Sequence, residues 1–248
     1  MGQPPSTARG RYFLRIMAMI ADNIGTVRQR IAVACLAAGR SVESVTLLAV
    51  SKAVGDWAVR EAYAAGANQF GENYVQEAVE KMAALADLRS RVVWHMIGPV
   101  QANKTRLIAE NFDWVHGVDR LRIALRLSEQ RPNELKPLQV CLQVNISGES
   151  SKSGVAPSQV AELALAVRGL RGLRLRGLMS VPEIAADSAA QRRPYAALRE
   201  LFAMLNADGI SLDTLSMGMT ADLEPAISEG ATIVRVGTAI FGARVRPN

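Results

Sequence analysis

The feature that most constrains this chain is an alternation of two periods. Eight short, mostly apolar runs fall at residues 45–51, 69–71, 92–97, 114–118, 139–145, 173–179, 214–217 and 233–236. Val45-Thr46-Leu47-Leu48-Ala49-Val50-Ser51 shows the type. It is too short for a helix and apolar at successive positions, as a strand buried on both faces requires. Helical stretches lie between the runs: 57–65, a segment carrying Val75, Val79, Met82 and Leu85, then 101–110, 119–130, 157–168, 190–207 and 222–229. Ahead of the first run, Ile20, Ile24, Val27, Ile31 and Cys35 recur at helical spacing, which predicts a helix ending near Gly39. Pro157 suits a first helical turn, Gly230 suits a C-terminal stop, and Pro225 places the start of its helix near Asp222. The pattern predicts an α/β chain folded as a single (β/α)8 TIM barrel with an extra N-terminal helix. A doubly wound open sheet is the alternative. It usually carries a glycine-rich fingerprint after its first strand, and Val50-Ser51-Lys52-Ala53-Val54 has none.

Composition narrows the function classes. Of 248 residues, 49% are apolar and 21% charged, enough apolar material for a large core and against a disordered chain. No apolar run approaches the ~18 residues of a membrane span. Cys35 and Cys141 stand in apolar runs without CxxC spacing and read as core residues of a reducing compartment. The expected location is therefore the cytoplasm. The net charge is +6, with 24 arginines and 5 lysines spread along helical faces and only 12 aromatics. Without a basic cluster interleaved with aromatics, no nucleic-acid partner is expected. Residues 1–16 are rich in arginine and turn-forming residues and read as a disordered N-terminal extension, with an organelle transit segment as the alternative. Residues 17–248 read as one barrel domain.

In such a barrel the site lies at the C-terminal ends of the strands. Lys52 follows directly on a seven-residue run with no other charge. It is either a lysine reaching solvent by its flexible stem or an amine that attacks an aldehyde once its proton is lost. Ser216-Met217-Gly218-Met219-Thr220 and Gly237-Thr238 follow the seventh and eighth strands, where barrels often bind phosphate. The glycines admit close backbone approach, the hydroxyls donate, and a helix opens near Asp222. Arg235 alternates with Val234 and Val236 and so faces the other way, either into an ion pair with a neighbouring strand or towards the site. His95 and His116 form no HExxH and read as packed or hydrogen-bonded strand residues, so no metal is expected.

Taken together, these segments resemble the pyridoxal phosphate homeostasis proteins, whose barrel is related to the N-terminal domain of alanine racemase. The matching segments include Leu47–Lys52, Phe70–Glu77, Trp94–Lys104, Asn145–Ser147, Ser151–Gly154, Arg176–Met179, Ser216–Asp222 and Val234–Gly242. The resemblance implies that Lys52 holds pyridoxal 5′-phosphate as an aldimine. It places Ser216, Gly218, Met219, Thr220, Gly237 and Thr238 about the phosphate, Arg235 at the pyridine nitrogen, and Asn73 and Asn145 along the ring. The family's members are cofactor carriers without an established reaction, which implies a monomer that hands pyridoxal phosphate to apo-enzymes. Three departures stand out: Thr220 where serine is usual, Pro225 early in its helix, and a C-terminal Arg244–Asn248 without the usual basic-aromatic tail. The competing reading is a pyridoxal-phosphate-dependent amino-acid racemase. Racemisation needs an acid and a base on opposite faces, and of the four tyrosines only Tyr74 falls near the expected mouth, with eleven residues after Gly237. A Schiff-base aldolase is a third reading, but it usually places its lysine on a later strand.

Overall fold

The computed structural model describes residues 8–148, 153–183 and 188–242. Eight parallel strands close in sequence order into a barrel: β1 (Thr46–Val50), β2 (Gln69–Glu72), β3 (Val93–Met96), β4 (Trp114–Val118), β5 (Leu138–Gln143), β6 (Leu173–Met179), β7 (Thr214–Met219) and β8 (Ile233–Val236). Closure is made by β8 pairing with β1, with Leu48 opposite Arg235. Around the barrel lie α1 (Ala8–Ala37), α2 (Asp56–Ala64), α3 (Val75–Ala84), α4 (Thr105–Asn111), α5 (Leu121–Glu129), α6 (Val160–Arg168), α7 (Ser188–Ala207), α8 (Leu223–Ser228) and α9 (Thr238–Phe241). The eight runs and the extra helix ahead of them are as the periodicity predicts.

Several boundaries differ for physical reasons. The backbone of α1 begins at Ala8 rather than opening at Met17, so residues 8–16 continue the helix. Residues 1–7 and Arg244–Asn248 lie outside the described residues. Strand β5 ends at Gln143, and Asn145 follows in the loop, where its N–H bonds the Val155 carbonyl at 3.0 Å. Strand β7 runs on to Met219 because its register against β8 shifts between Ser216 and Met219, a bulge at the site's edge. Pro225 lies in the first turn of α8, with Asp222 just ahead of the helix, as its chemistry demands.

Alternation sorts each strand's side chains. Phe70 and Trp94, with ring centroids 5.6 Å apart, pack outward under the helices. The barrel interior is more polar: it receives Gln69, His95, Trp114, His116, Ser216 and Arg235, which contact one another directly. Gly177 lets β6 approach β7 closely, since a Cβ there would lie 1.7 Å from the Thr214 carbonyl oxygen. Both cysteines are buried free thiols, and burial pushes Cys141 up to about 12. Among the described residues no helix is long and apolar enough to cross a membrane, and no cluster of His, Cys, Asp or Glu could hold a metal ion.

Candidate functional site

At the C-terminal mouth of the barrel, a cavity of about 330 Å³ is lined by Lys52, Asn73, Met219, Thr220, Arg235, Gly237 and Thr238, together with Val50, Ile97, Val181 and Ala221. This lies at the lower end of small-ligand sites, ~300–1,000 Å³. Seven of the ten residues singled out from sequence therefore meet in one space. Asn145 does not line it. It lines an adjoining cavity of about 270 Å³ that shares Asn73, Ile97 and Val181. Ser216 and Gly218 lie beneath the wall. Gly218 has φ +88°, and a Cβ there would sit 2.5 Å from that of Ala226, so only glycine lets α8 pack this closely.

Lys52 is half-buried, and the strand end that carries it is anchored by charge. The fully buried Glu72 accepts from Ser51 Oγ at 2.7 Å and from Lys81 Nζ at 2.7 Å. Lys81, 6% exposed, also donates to the Ser51 carbonyl at 2.7 Å and to Glu77 Oε1 at 3.1 Å. Glu77 Oε1 in turn accepts the Ala53 N–H at 2.7 Å. That bond holds Ala53 at φ 57°, a left-handed turn that costs an alanine about 1 kcal/mol. Burial pushes the Glu72 carboxyl up, opposed by the Lys81 ammonium and the Ser51 hydroxyl. Its Oε2 has no partner among the described residues. Sequence reading missed Lys81 and Glu77. The available signal was a lysine within the buried stripe Val75, Ala78, Met82 of α3.

The loop after β7 is fixed differently. The Met219 N–H donates to Asp222 Oδ1 at 2.5 Å, and the Tyr195 hydroxyl donates to Asp222 Oδ2 at 2.5 Å. Burial and the Asp222 carboxylate push the Tyr195 phenol up, so it stays a donor. Helix α1 reaches both loops. Arg30 Nη2 donates to the Thr220 carbonyl at 3.0 Å while pairing with Glu224, and Asn23 Nδ2 donates to the Ile240 carbonyl on α9 at 2.9 Å. With six residues α8 is short.

Arg235, 5% exposed, has no carboxylate partner among the described residues, so the ion-pair alternative is set aside. It donates to the Ser216 carbonyl at 2.7 Å, to Ser216 Oγ at 2.8 Å and to the Ser180 carbonyl at 2.8 Å. The Ser216 hydroxyl is thus engaged inside the barrel and does not line the cavity where its expected phosphate role would put it. His95 and His116 are hydrogen-bonded strand residues, as read from sequence. The donor set is an amine, a permanent cation, two hydroxyls and glycine-bearing loops. It suits a flat molecule carrying an aldehyde and an anionic group, and the residues present fit pyridoxal phosphate on these grounds.

A closed barrel with a lysine after β1 and hydroxyl-bearing loops after β7 and β8 defines the alanine-racemase class of barrel. The alanine racemase N-terminal domain family matches residues 20–245. Within it, the chain belongs to the pyridoxal phosphate homeostasis proteins. It is 62% identical over 228 residues to the pyridoxal phosphate homeostasis protein of Pseudomonas aeruginosa, covering 92% of this chain and 97% of that one. The Escherichia coli K12 protein of the same name is 51% identical over 226 residues, covering 91% and 97%. PipY of Synechococcus elongatus, solved with PLP bound, superposes with TM-score 0.78 at 36% identity over 90% of this chain and 100% of that chain. Alanine racemase from Corynebacterium glutamicum shares the fold, with TM-score 0.66 at 18% identity over 92% of this chain and 61% of that one.

Proposed function

We propose that this chain binds pyridoxal 5′-phosphate covalently through Lys52 and serves the cytoplasmic supply of the cofactor as a monomeric carrier, releasing it to apo-enzymes. The observation that carries this reading is the meeting of Lys52, Arg235 and both phosphate-type loops in one cavity. Bound there, pyridoxal phosphate supplies an aldehyde for an imine and a ring able to delocalise charge. Lys52 Nζ supplies the amine, Thr220 and Thr238 with Gly237 and Met219 hold the phosphate, and Arg235 donates towards the pyridine nitrogen. A guanidinium cannot give up its proton, so that nitrogen stays unprotonated and the ring is a weak electron sink. Among the described residues that line the cavity, Lys52 and Arg235 are the only ones with ionisable side chains, and a guanidinium does not serve as an acid or base. Tyr74 is 58% exposed, just ahead of α3, and does not line the cavity. Both points favour a carrier over a racemase.

The test is Lys52→Ala. It should abolish the visible absorbance and the borohydride-trapped adduct of the loaded protein while leaving its far-UV circular dichroism unchanged. An adduct mapped to another lysine would overturn the assignment. Loss of the α-proton NMR signal of L-alanine in D₂O at about 1 per second or faster would restore the racemase reading.

A further inference from the structure

Five polar side chains form one continuous hydrogen-bonded chain across the inside of the barrel. From Arg235 Nη1 it passes to Ser216 Oγ at 2.8 Å, from Ser216 Oγ to His116 Nδ1 at 2.8 Å, from His116 Nε2 to His95 Nδ1 at 2.9 Å, and from His95 Nε2 to Gln69 Oε1 at 2.7 Å. His95, His116, Ser216 and Arg235 are each at most 5% exposed. The members come from β8, β7, β4, β3 and β2, so the chain spans the barrel.

The two ends of the chain set its direction. A carbonyl oxygen can only accept, so neutral His95 carries its hydrogen on Nε2 for Gln69 Oε1 and leaves its Nδ1 bare. His116 then donates from Nε2 to that nitrogen, its own Nδ1 is bare, and Ser216 Oγ gives it the hydroxyl proton. The guanidinium can only donate, so Ser216 Oγ accepts from Arg235. Both imidazoles are neutral, each in one tautomer. A proton added to His116 would set its Nδ1–H against a hydroxyl already committed as donor, close to a buried cation. Burial lowers both histidines, to about 3 for His95, which agrees with this arrangement.

We propose that His116, acting through Ser216, is a positioning residue for Arg235 and thereby tunes how the pocket holds the pyridine ring of pyridoxal phosphate; this rests on the function proposed above. By fixing the Ser216 hydroxyl as a donor towards His116, it keeps the lone pairs of Oγ turned to Arg235. The guanidinium is then held by three oxygens, with no carboxylate bonded to it among the described residues. Without His116 the hydroxyl is free to rotate, and one of the three bonds loosens.

The full chain, loaded with pyridoxal phosphate, tests this by equilibrium dialysis and visible absorbance, with thermal unfolding of the unloaded protein as a control for stability. His116→Leu and Ser216→Ala should each bind roughly 5-fold more weakly, the loss of about one net hydrogen bond, and should shift the absorbance of the bound cofactor. His116→Asn, whose amide oxygen can accept near the position of Nδ1, should restore the affinity and the spectrum. Wild-type affinity and spectrum in both His116→Leu and Ser216→Ala would overturn the proposal. So would equal losses in His116→Leu and His116→Asn that track only a lower unfolding temperature. Should His116→Leu fail to fold, Ser216→Ala, which removes a single oxygen, decides the matter. Failure of the wild-type protein to bind pyridoxal phosphate would bring down the proposed function, whereas wild-type binding with unaffected variants would bring down the relay alone.

Discussion

Beneath Lys52 the pocket rests on a buried ion pair, whereas Arg235 on β8 is held by neutral acceptors. Beneath Lys52, a carboxylate and an ammonium meet at 2.7 Å with side chains 0% and 4% exposed. Beneath Arg235 lie two carbonyls and a hydroxyl backed by neutral imidazoles. Tight, charge-assisted bonds suit the first place, where they hold the left-handed turn at Ala53 and fix the strand end from which Lys52 projects. Neutral acceptors suit the second, because they fix the guanidinium's position by three directed bonds without a carboxylate bonded to it among the described residues. Lys52 and Arg235, in one cavity, are thus supported in different ways.

The most disruptive way to break the comparison is Lys81→Ala. It leaves Glu72 buried without its cation and should destabilise the protein by about 3–5 kcal/mol in urea unfolding. Exchanging both partners, Glu72→Gln with Lys81→Met, should recover most of that loss. A small effect of Lys81→Ala alone would mean that the β1–β2 end is no more ionic than its counterpart.

A smaller effect sharpens the contrast through pH. Burial lowers His95 from 6.5 to about 3, and burial followed by His95 and Arg235 lowers His116. The unfolded chain therefore takes up these protons first. The stability from the two neutral imidazoles is complete above pH ~6.5 and is lost as the pH falls, for His95 towards 3. Glu72, raised by burial, works in the opposite sense, since its folded carboxyl binds the proton first and its contribution declines as the pH rises through the carboxylate range. Urea midpoints of the wild type should fall below pH ~6.5, and His116→Asn should flatten that slope. An unchanged slope would contradict neutral imidazoles inside the barrel.

The smallest effect concerns α1. Arg30 and Glu224 have side chains 33% and 46% exposed, so their pair is screened, and its use is to hold the Thr220 carbonyl. Arg30→Ala should leave the fold intact and weaken pyridoxal phosphate binding by roughly 2- to 5-fold, about 0.5–1 kcal/mol. Equilibrium dialysis would measure it, and an unchanged affinity would remove α1 from the phosphate side of the comparison.

Much of this was legible in the chain. The eight strands could be read because parallel strands buried on both faces are short apolar runs, and the glycine-stopped helices between them carry a different period. Lys52, Thr220 and Arg235 could be placed because strand ends in a closed barrel converge on one mouth. The role of Ser216 could not. Its hydroxyl meets His116, exactly one hundred positions away in the chain, across the barrel. Lys81 sits on α3 like any helical lysine, and only the packing of that helix against β1 and β2 turns it inward to Ser51 and Glu72.

What the sequence determined by itself was local: which segments are extended, which are helical, and which residues stand at their ends. Those properties follow from backbone hydrogen bonding and side-chain alternation within a few residues. The tertiary structure alone decided which polar groups share the barrel's interior and, through the Gln69 carbonyl oxygen that can only accept, which nitrogen of each imidazole carries the proton. No local pattern encodes that, because the interior exists only once β8 has closed against β1 and strands far apart in the chain face one another.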